Sequence, residues 1–149
     1  MLTIKKILCP VDFSEPSYHG LATAVDLAEK FGAEIEVLYV LPILPPQPTD
    51  PNYEFLIPEY EGLLHKDAET RLDAVVKEKI PAGIKATSLI GHGNAGKEIV
   101  KTAKENKSDL VVIASNGHSG WYNLVMGSVA EKVVRHSFCP VFIARDCRS

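Results

Sequence analysis

The sequence predicts an α/β fold in which a parallel β-sheet carries helices on both faces. Apolar runs of strand length alternate along the chain with segments whose apolar residues recur at helical period, and this alternation is typical of sheets built from β-α-β units. Most of the runs are nearly continuous in apolar residues, as expected of strands covered on both faces. At 149 residues, 46% of them hydrophobic, the chain suits one compact domain, residues 1–149, and is too short for two ordinary ones.

Five strands and four helices are predicted, in the order β-α-β-α-β-α-β-α-β, which right-handed crossovers wind into one sheet. The predicted strands are 4–11, 35–41, 84–90, 110–114 and 141–144. The third is more mixed in composition and is expected nearer an edge of the sheet. Each helix is predicted from apolar residues that share one face: Leu21, Ala24, Val25, Ala28 and Phe31; Leu64, Ala68, Leu72, Val75 and Val76; Ile99, Val100 and Ala103; and Val129, Ala130, Val133 and Val134.

Composition argues against several classes of protein. A net charge of -3 with scattered Lys and Arg leaves no basic patch for nucleic acid. No segment approaches 18 uninterrupted apolar residues, so neither a membrane span nor an export signal is expected. Cys9, Cys139 and Cys147 are far apart and form no C-x-x-C pair, which suggests neither disulfides nor a zinc site. We therefore expect a cytoplasmic protein.

A glycine-rich stretch follows the third predicted strand. Ligands of parallel sheets bind outside the carboxyl ends of the strands, where the strand order reverses, so residues that follow strands are the candidates for a site. Residues 91–98 read GHGNAGKE. They match both G-x-G-x-x-G, the dinucleotide fingerprint, and G-x-x-x-x-G-K, most of a P-loop.

Two acidic residues argue against a nucleotide at this stretch. A P-loop needs Ser or Thr after its lysine to coordinate magnesium, whereas Glu98 holds that position and would repel phosphates. The dinucleotide fingerprint needs an acidic residue at the carboxyl end of the next strand, whereas Asp109 lies at its start. Glu98 in the first turn of a helix is explained by the helix dipole. We therefore interpret residues 91–98 as the turn from the third strand into its helix.

A second glycine loop follows the fourth strand. Residues 114–128, ASNGHSGWYNLVMGS, end in a Gly-Ser pair that opens an amphipathic helix. Ser128 is predicted to be the N-cap, and the backbone N–H groups after it would form an anion site. Gly117 and Gly127 have no side chains to hold a phosphate away from the backbone. From these residues alone, an ordinary turn followed by a capped helix is an equally good interpretation.

Three separated stretches resemble the universal stress protein family. The family signature G-x2-G-x9-G-[S/T] is matched by Gly117, nine further residues, and then Gly127 and Ser128. Residues 7–17, ILCPVDFSEPS, are similar to the first strand and turn of the family, and residues 128–136 with 139–143 resemble its last helix and strand. The likeness covers essentially the whole chain, with the same order of elements.

The resemblance implies a Rossmann-like, five-stranded parallel sheet of order 3-2-1-4-5, usually dimeric, in a family with ATP-binding and non-binding branches. In the binding branch, the acidic residue matching Asp12 lies by the nucleoside, backbone matching Val40 contacts the adenine, and residues matching Gly117, Gly127 and Ser128 cradle the ribose and phosphates. ATP, with Mg²⁺, is therefore the expected ligand. The candidate nucleotide-binding residues are Pro10, Val11, Asp12, Val40, Ala114, Ser115, Gly117, His118, Gly127, Ser128 and Val129.

Three of these positions carry further expectations. Asp12 is also suited to capping the helix that begins near Pro16. Ala114 replaces the first glycine of the signature; if the backbone there requires positive φ, strain of roughly 1 kcal/mol or somewhat more would weaken binding about tenfold. His118 stands where the family often has Arg or Lys, so we hypothesise a phosphate contact that strengthens on protonation. An exposed histidine without a role is an equally good interpretation.

The leading functional hypothesis is an ATP-binding, dimeric stress-response regulator that is not an efficient enzyme, because no nucleophile with an assignable base is found. A dimeric interaction module whose nucleotide site is impaired by Ala114 is one alternative, and slow ATP hydrolysis is another.

The last strand is expected at a sheet edge, where pairing with the same strand of a second copy would cover it. Residues 42–58, which hold six of the ten prolines, form either a lid, a partner-binding surface or a variable loop.

Overall fold

The structure is a computed structural model, and it describes residues 2–43, 53–116 and 126–145. The protein has one β-sheet of five parallel strands, with two helices on each face. The strand order is β3-β2-β1-β4-β5, which confirms the predicted topology. The elements are β1 Lys6–Pro10, α1 Glu15–Phe31, β2 Glu34–Leu41, α2 Tyr53–Lys79, β3 Ala86–His92, α3 Ala95–Glu105, β4 Leu110–Ala114, α4 Ser128–His136 and β5 Val141–Ala144.

Side chains that alternate along the strands divide the core between the two faces of the sheet. On the face covered by α1 and α2, Ile7, Cys9 and Ile35 are completely buried. On the face covered by α3 and α4, Leu8 and Val111 are completely buried. Burial raises the pKa of the Cys9 thiol to about 12, because a thiolate would have no water to solvate it, so this cysteine belongs to the core.

Three apolar residues assigned to buried helix faces are exposed, so that part of the prediction was wrong. Phe31 ends α1 immediately before Gly32, the left-handed C-cap, and its side chain is 51% exposed. In α4, Ala130 and Val133 are buried, whereas Val129 and Val134 are exposed. A helix of nine residues packed at one end of a sheet buries only a narrow stripe.

The predicted irregular segment 42–58 is shorter than expected, because α2 begins at Tyr53. Pro58 therefore lies within the helix, although it lacks the N–H that an interior position would use. Buried Ala68, Leu72 and Val75 pack α2 against the sheet, and such packing supplies most of the stability of a helix in a protein. Residues 44–52 lie outside the described part of the chain.

The GHGNAGKE stretch is the end of β3 and the start of α3, as predicted. Asn94 is the N-cap, and its Oδ1 accepts from Lys97 N at 3.0 Å. The last glycine of the apparent motif serves helix packing: a β-carbon at Gly96 would lie 2.6 Å from Lys132 Cδ, so the missing side chain lets α4 approach α3.

At the end of β3, two histidines and a glutamate connect the sheet edge to α2. His65 Nδ1 lies 3.0 Å from His92 Nε2, and His65 Nε2 lies 2.8 Å from Glu69 Oε1. The carboxylate can only accept, so a neutral His65 carries its proton on Nε2 and presents a bare Nδ1 to His92.

Within the described ranges, no helix combines the length and apolar character needed to cross a membrane.

Candidate functional site

A cavity of about 310 Å³ opens at the carboxyl ends of β1, β2 and β4. This is the switch point of the sheet, because β2 and β4 lie on opposite sides of β1, and ligands of open α/β sheets bind in that crevice. The volume is within the range of small-molecule pockets. The lining residues are Pro10, Val11, Asp12, Ser17, Leu38, Tyr39, Val40, Ala95, Ile99, Ile113, Ala114, Ser115, Asn116, Gly127, Ser128, Val129 and Ala130.

Asp12 stands at the end of β1, where the chain turns into α1. Its Oδ1 accepts from Ser14 N at 3.0 Å and from the Ser14 hydroxyl, while its own N–H donates to Ser17 Oγ at 3.3 Å. The N-cap of α1 is Ser14, whose side chain accepts from Ser17 N, so the expectation that Asp12 caps this helix was wrong. Asp12 instead holds the cap residue. A carboxylate has about four acceptor positions and can accept from a ligand as well.

Val40 presents backbone groups to the cavity beyond the end of β1. The N–H of Val11 donates to the Leu38 carbonyl at 2.8 Å, which directs the Leu38 peptide groups toward β1. Peptide groups alternate in direction along a strand, so those of Val40, two residues on, point the same way at a level that β1 no longer reaches. One donor and one acceptor therefore lie side by side at the cavity wall.

The opposite wall is the N-terminal end of α4, and its cap differs from the prediction. Gly127 is the N-cap (φ −61°, ψ 155°), no side-chain cap hydrogen bond is made, and Ser128 is the first helical residue. The expectation that Ser128 is the N-cap was therefore wrong. The N-terminal ends of α1 and α3 differ from that of α4, because the side chains of their N-caps, Ser14 and Asn94, each accept a hydrogen bond from a backbone N–H of the first turn. The first-turn donors of α4 have neither intrahelical partners nor a side-chain cap, and they adjoin the cavity.

Gly127 is required by a close approach of two backbones. Its N–H donates to the Ser115 carbonyl at 2.7 Å, and a β-carbon at position 127 would lie 3.2 Å from that carbonyl oxygen and 3.6 Å from Asn116 Cα. A side chain here would push the start of α4 away from the end of β4. The hydrogen bond thus joins the two halves of the cavity wall.

Ala114 does not strain the backbone. It is absent from the described non-glycine residues with positive φ, which are Phe13 and Lys107. Its methyl points away from the α3 and α4 face, because a β-carbon at Gly20 of α1 would lie 3.7 Å from Ala114 Cβ. The condition on which weakened binding was predicted is therefore not met.

The charge around the cavity is asymmetric. Among the lining residues that the structure describes, Asp12 is the one with an acidic side chain, while the α4 end carries the positive pole of a helix dipole. An anion is therefore favoured at α4 and disfavoured beside Asp12. No three His, Cys, Asp or Glu side chains in the described ranges are arranged to hold a metal ion.

The structure brings most of the predicted residues together at this one cavity. Gly117 and His118 lie outside the described residues, so the phosphate contact of His118 stays a prediction. The remaining candidates line the cavity: Pro10, Val11, Asp12, Val40, Ala114, Ser115, Gly127, Ser128 and Val129.

Several lining residues were missed by the sequence analysis. Ile113 precedes the strand end on the α3 and α4 face, and strand alternation from Val111 could have indicated it. Ala95 and Ile99 come from the first two turns of α3, and their place in the wall depends on tertiary packing that a single sequence does not show. Tyr39 and Ser17 had no signature in the sequence.

Comparisons with known proteins agree over the whole chain. A family model described as universal stress protein family matches residues 3–145. Universal stress protein MJ0531 of Methanocaldococcus jannaschii is 33% identical over 143 residues, covering 95% of this chain and 82% of the relative. Universal stress protein YxiE of Bacillus subtilis is 32% identical over 145 residues, covering 94% and 98%.

Solved structures share the fold. The structure of hypothetical protein MJ0577 superposes with a TM-score of 0.83 at 27% identity, covering 99% of each chain. At lower identity, a universal stress protein solved in complex with cAMP covers 95% of this chain and 97% of its own, with a TM-score of 0.61 at 21% identity. One from Archaeoglobus fulgidus in complex with dAMP covers 96% and 98%, with a TM-score of 0.60 at 20% identity. The family match, the relatives and the topology agree, and the chain belongs to the universal stress protein family.

Proposed function

We propose that this protein binds an adenine nucleotide in the cavity between Asp12 and the N-terminal end of α4, and that it acts as a dimeric stress-response regulator. The observation that carries the proposal is the α4 end itself. Its first-turn N–H groups have no side-chain cap and adjoin a cavity whose other wall holds a carboxylate. Helix ends of this kind bind phosphate.

The charge asymmetry sets the direction in which a nucleotide would lie. Phosphates are placed at Gly127, Ser128 and Val129, where the dipole favours negative charge. The ribose is placed beside Asp12, because its hydroxyls are donors for a carboxylate. Mg²⁺, where present, would be held mainly by phosphates and water, as is usual for this ion.

Adenine suits the Val40 wall. The exocyclic amino group of adenine donates and its ring nitrogen N1 accepts, so the C=O and N–H of Val40 complement the edge of the base. Guanine presents the opposite pattern on that edge, with an acceptor oxygen and a donor N–H. Relatives that were solved with cAMP and dAMP hold adenine nucleotides, which supports the same class of ligand here.

Titration of nucleotide-free protein with ATP and Mg²⁺, and separately with AMP and cAMP, tests the proposal by calorimetry. We expect saturable binding near one site per chain, and adenine nucleotide in the supernatant of protein denatured directly after purification. No binding at millimolar nucleotide by a folded protein would contradict the proposal.

A pair of variants tests where the nucleotide binds. Gly127→Val should abolish affinity, because its side chain would meet the Ser115 carbonyl and displace the phosphate donors. Lys97→Ala is the matched control in the apparent P-loop: Lys97 is exposed and does not line the cavity, so affinity should be unchanged. Both variants should keep the far-UV circular dichroism of wild type. Loss of affinity in Lys97→Ala alone would assign the nucleotide to the other loop.

The proposed dimer forms through β5, the edge strand of the sheet. Phe142 of β5 is 43% exposed, and Phe138, which precedes β5 in the chain, is exposed as well. An edge strand with exposed apolar side chains requires cover, and antiparallel pairing with a second copy would supply it. Regulation by nucleotide additionally requires that one conformation binds it better than another.

A further inference from the structure

Phe13, next to Asp12, has an unusual backbone conformation. Its φ is +65°, and Lys107 is the other non-glycine residue with positive φ in the described part of the chain. Lys107 follows Asn106, the C-cap of α3, and a left-handed residue is common at that position. Phe13 lies in the turn of the nucleotide site, and a bulky residue in this region is an outlier that persists only when its surroundings hold it there.

The surroundings of Phe13 are two side chains from two other elements. Its ring lies 4.6 Å from the Tyr39 ring, with an interplanar angle of 40°. The guanidinium carbon of Arg71 lies 4.1 Å from the centre of the Phe13 ring, within the range of a cation–π contact. The Phe13 ring therefore contacts a side chain of β2 and a side chain of α2.

The conformation of Phe13 determines the hydrogen bonds of Asp12. A positive φ at position 13 folds the chain back, so that both the N–H and the hydroxyl of Ser14 reach Asp12 Oδ1. An extended φ at Phe13 would carry Ser14 away from the carboxylate. Asp12 would then lose the donors that fix its direction toward the cavity.

We propose that Phe13 and Arg71 are positioning residues of the nucleotide site: Arg71 holds the Phe13 ring against Tyr39, and the resulting turn aims the Asp12 carboxylate at the ribose. This inference rests on the proposed function. Neither Phe13 nor Arg71 lines the cavity, whereas Asp12 and Tyr39 beside Phe13 both do. The proposal assigns the effect on a ligand to Asp12, because its carboxylate is held by the turn that Phe13 makes. The same contact ties α2 to the nucleotide site.

A second cation–π contact on the same helix supplies the control. Lys79 Nζ lies 4.4 Å from the centre of the Tyr18 ring, and Tyr18 packs against the same face of the core as Phe13. Tyr18 reaches the Asp12 turn through its backbone, whose N–H donates to the Ser14 carbonyl at 3.1 Å. The Lys79 contact is made by the Tyr18 ring, which forms no described hydrogen bond with that turn. Lys79→Gln therefore removes an equivalent contact of α2 without reaching the site.

The test measures AMP affinity by calorimetry. Arg71→Gln should weaken AMP about two- to fivefold, as expected for loss of one cation–π contact, and Lys79→Gln should leave the affinity of wild type. Phe13→Ala should weaken AMP about tenfold. Phe13→Gly should recover part of that loss, because glycine adopts a positive φ freely. A role confined to packing predicts no such recovery, since glycine removes more side chain than alanine.

A double-mutant cycle tests the route through Asp12. In an Asp12→Asn background, Arg71→Gln should cause no further loss of AMP affinity, because residues that act as one unit are not additive. A second measurement needs no ligand: the Ser14 amide proton signal in NMR should move toward its random-coil position in Arg71→Gln and stay in place in Lys79→Gln.

The outcomes separate the two proposals. Wild-type protein that binds no nucleotide would remove the proposed function and, with it, the role of Phe13 and Arg71 in binding. Wild-type protein that binds AMP, with Arg71→Gln equal to Lys79→Gln in affinity and an unmoved Ser14 amide, would overturn only the inference drawn here.

Discussion

The methyl group of Ala114 was expected to weaken nucleotide binding if the backbone at position 114 required positive φ. In the structure, the Ala114 methyl lies on the α1 face of β4, beside Gly20, and Ile113 points to the cavity instead. The close approach of α1 to β4 is made possible by Gly20, whose own β-carbon would lie 3.3 Å from Ala114 N. Position 114 is therefore a packing position between β4 and α1 as well as part of the cavity wall.

Replacement of this residue by glycine tests the point. Ala114→Gly should change nucleotide affinity by less than about twofold, because no backbone strain is relieved and the methyl that is lost lies against Gly20 of α1. It should lower stability by about 0.5–1 kcal/mol, since glycine in a strand gains conformational entropy on unfolding. Calorimetry and thermal unfolding measure the two effects separately. A tenfold gain in affinity would show that the methyl impairs the site.

Sequence reasoning at the scale of single residues succeeded where a pattern had a local cause. Asp12 and Val40 were placed correctly at the cavity because strand ends can be recognised from apolar runs. The left-handed Phe13 could not be predicted, because the side chains that contact its ring, Tyr39 and Arg71, are distant from it in the sequence. The N-cap at Gly127 was missed because serine is the better N-cap by preference.

At the scale of elements, the first residue of β2 joins three strands at the end of the sheet opposite the cavity. Glu34 Oε2 lies 3.1 Å from Lys85 Nζ, and Glu34 Oε1 lies 3.6 Å from Lys6 Nζ. The hydrogen bond from Lys85 and the charges of Lys85 and Lys6 lower the pKa of Glu34, outweighing the opposite effect of burial.

The pH dependence of stability follows from that direction. A carboxyl whose pKa is lower in the folded state contributes stability above its unfolded pKa, about 4.3, and loses the contribution as the pH falls through the folded pKa. Glu34→Gln should therefore lower the free energy of unfolding at pH 7 by less than about 1 kcal/mol, since the pair is partly exposed. The difference from wild type in urea unfolding should shrink at pH 3, and a constant difference would contradict the assignment.

The predicted bounds of the strands and helices can be compared with those in the structure. Strands β4 and β5 were predicted with the bounds found, and β1, β2 and β3 within two residues at each end. Start and stop signals were clear there because Asp, Asn or Pro flank the apolar runs. The start of α2 was misplaced because the prolines of residues 42–58 predict irregular structure rather than a helix. Val129 and Val134 of α4 were wrongly assigned to its buried face, because a periodic pattern does not show how many helical positions the neighbouring elements will cover.

At the scale of the whole molecule, two edges of the sheet differ in character. β3 ends at His92, which is hydrogen-bonded to His65 of α2, whereas β5 leaves Phe142 exposed. The proposed dimer uses the second edge. Two copies joined there would present their cavities independently, because β5 is separated from β1 by β4.

Phe142→Lys tests the association. A lysine on each copy would place like charges opposite one another in an antiparallel pair and remove apolar contact, so the variant should elute as a monomer in size exclusion with light scattering where wild type is a dimer. Phe31→Lys, at an exposed phenylalanine on α1, is the control and should leave the dimer intact. A dimer that survives Phe142→Lys would move the interface away from β5.

The contact between Gly96 and Lys132 bears on how this cavity can change over evolution. Two parts of the cavity wall, Ala95 with Ile99 and Ser128 to Ala130, belong to helices that approach closely at one point because Gly96 has no side chain. A larger residue at position 96 would require the Lys132 side chain to move or to become smaller, or the two helices to separate. Substitutions at positions 96 and 132 could therefore alter the width of the cavity without changing any residue that lines it.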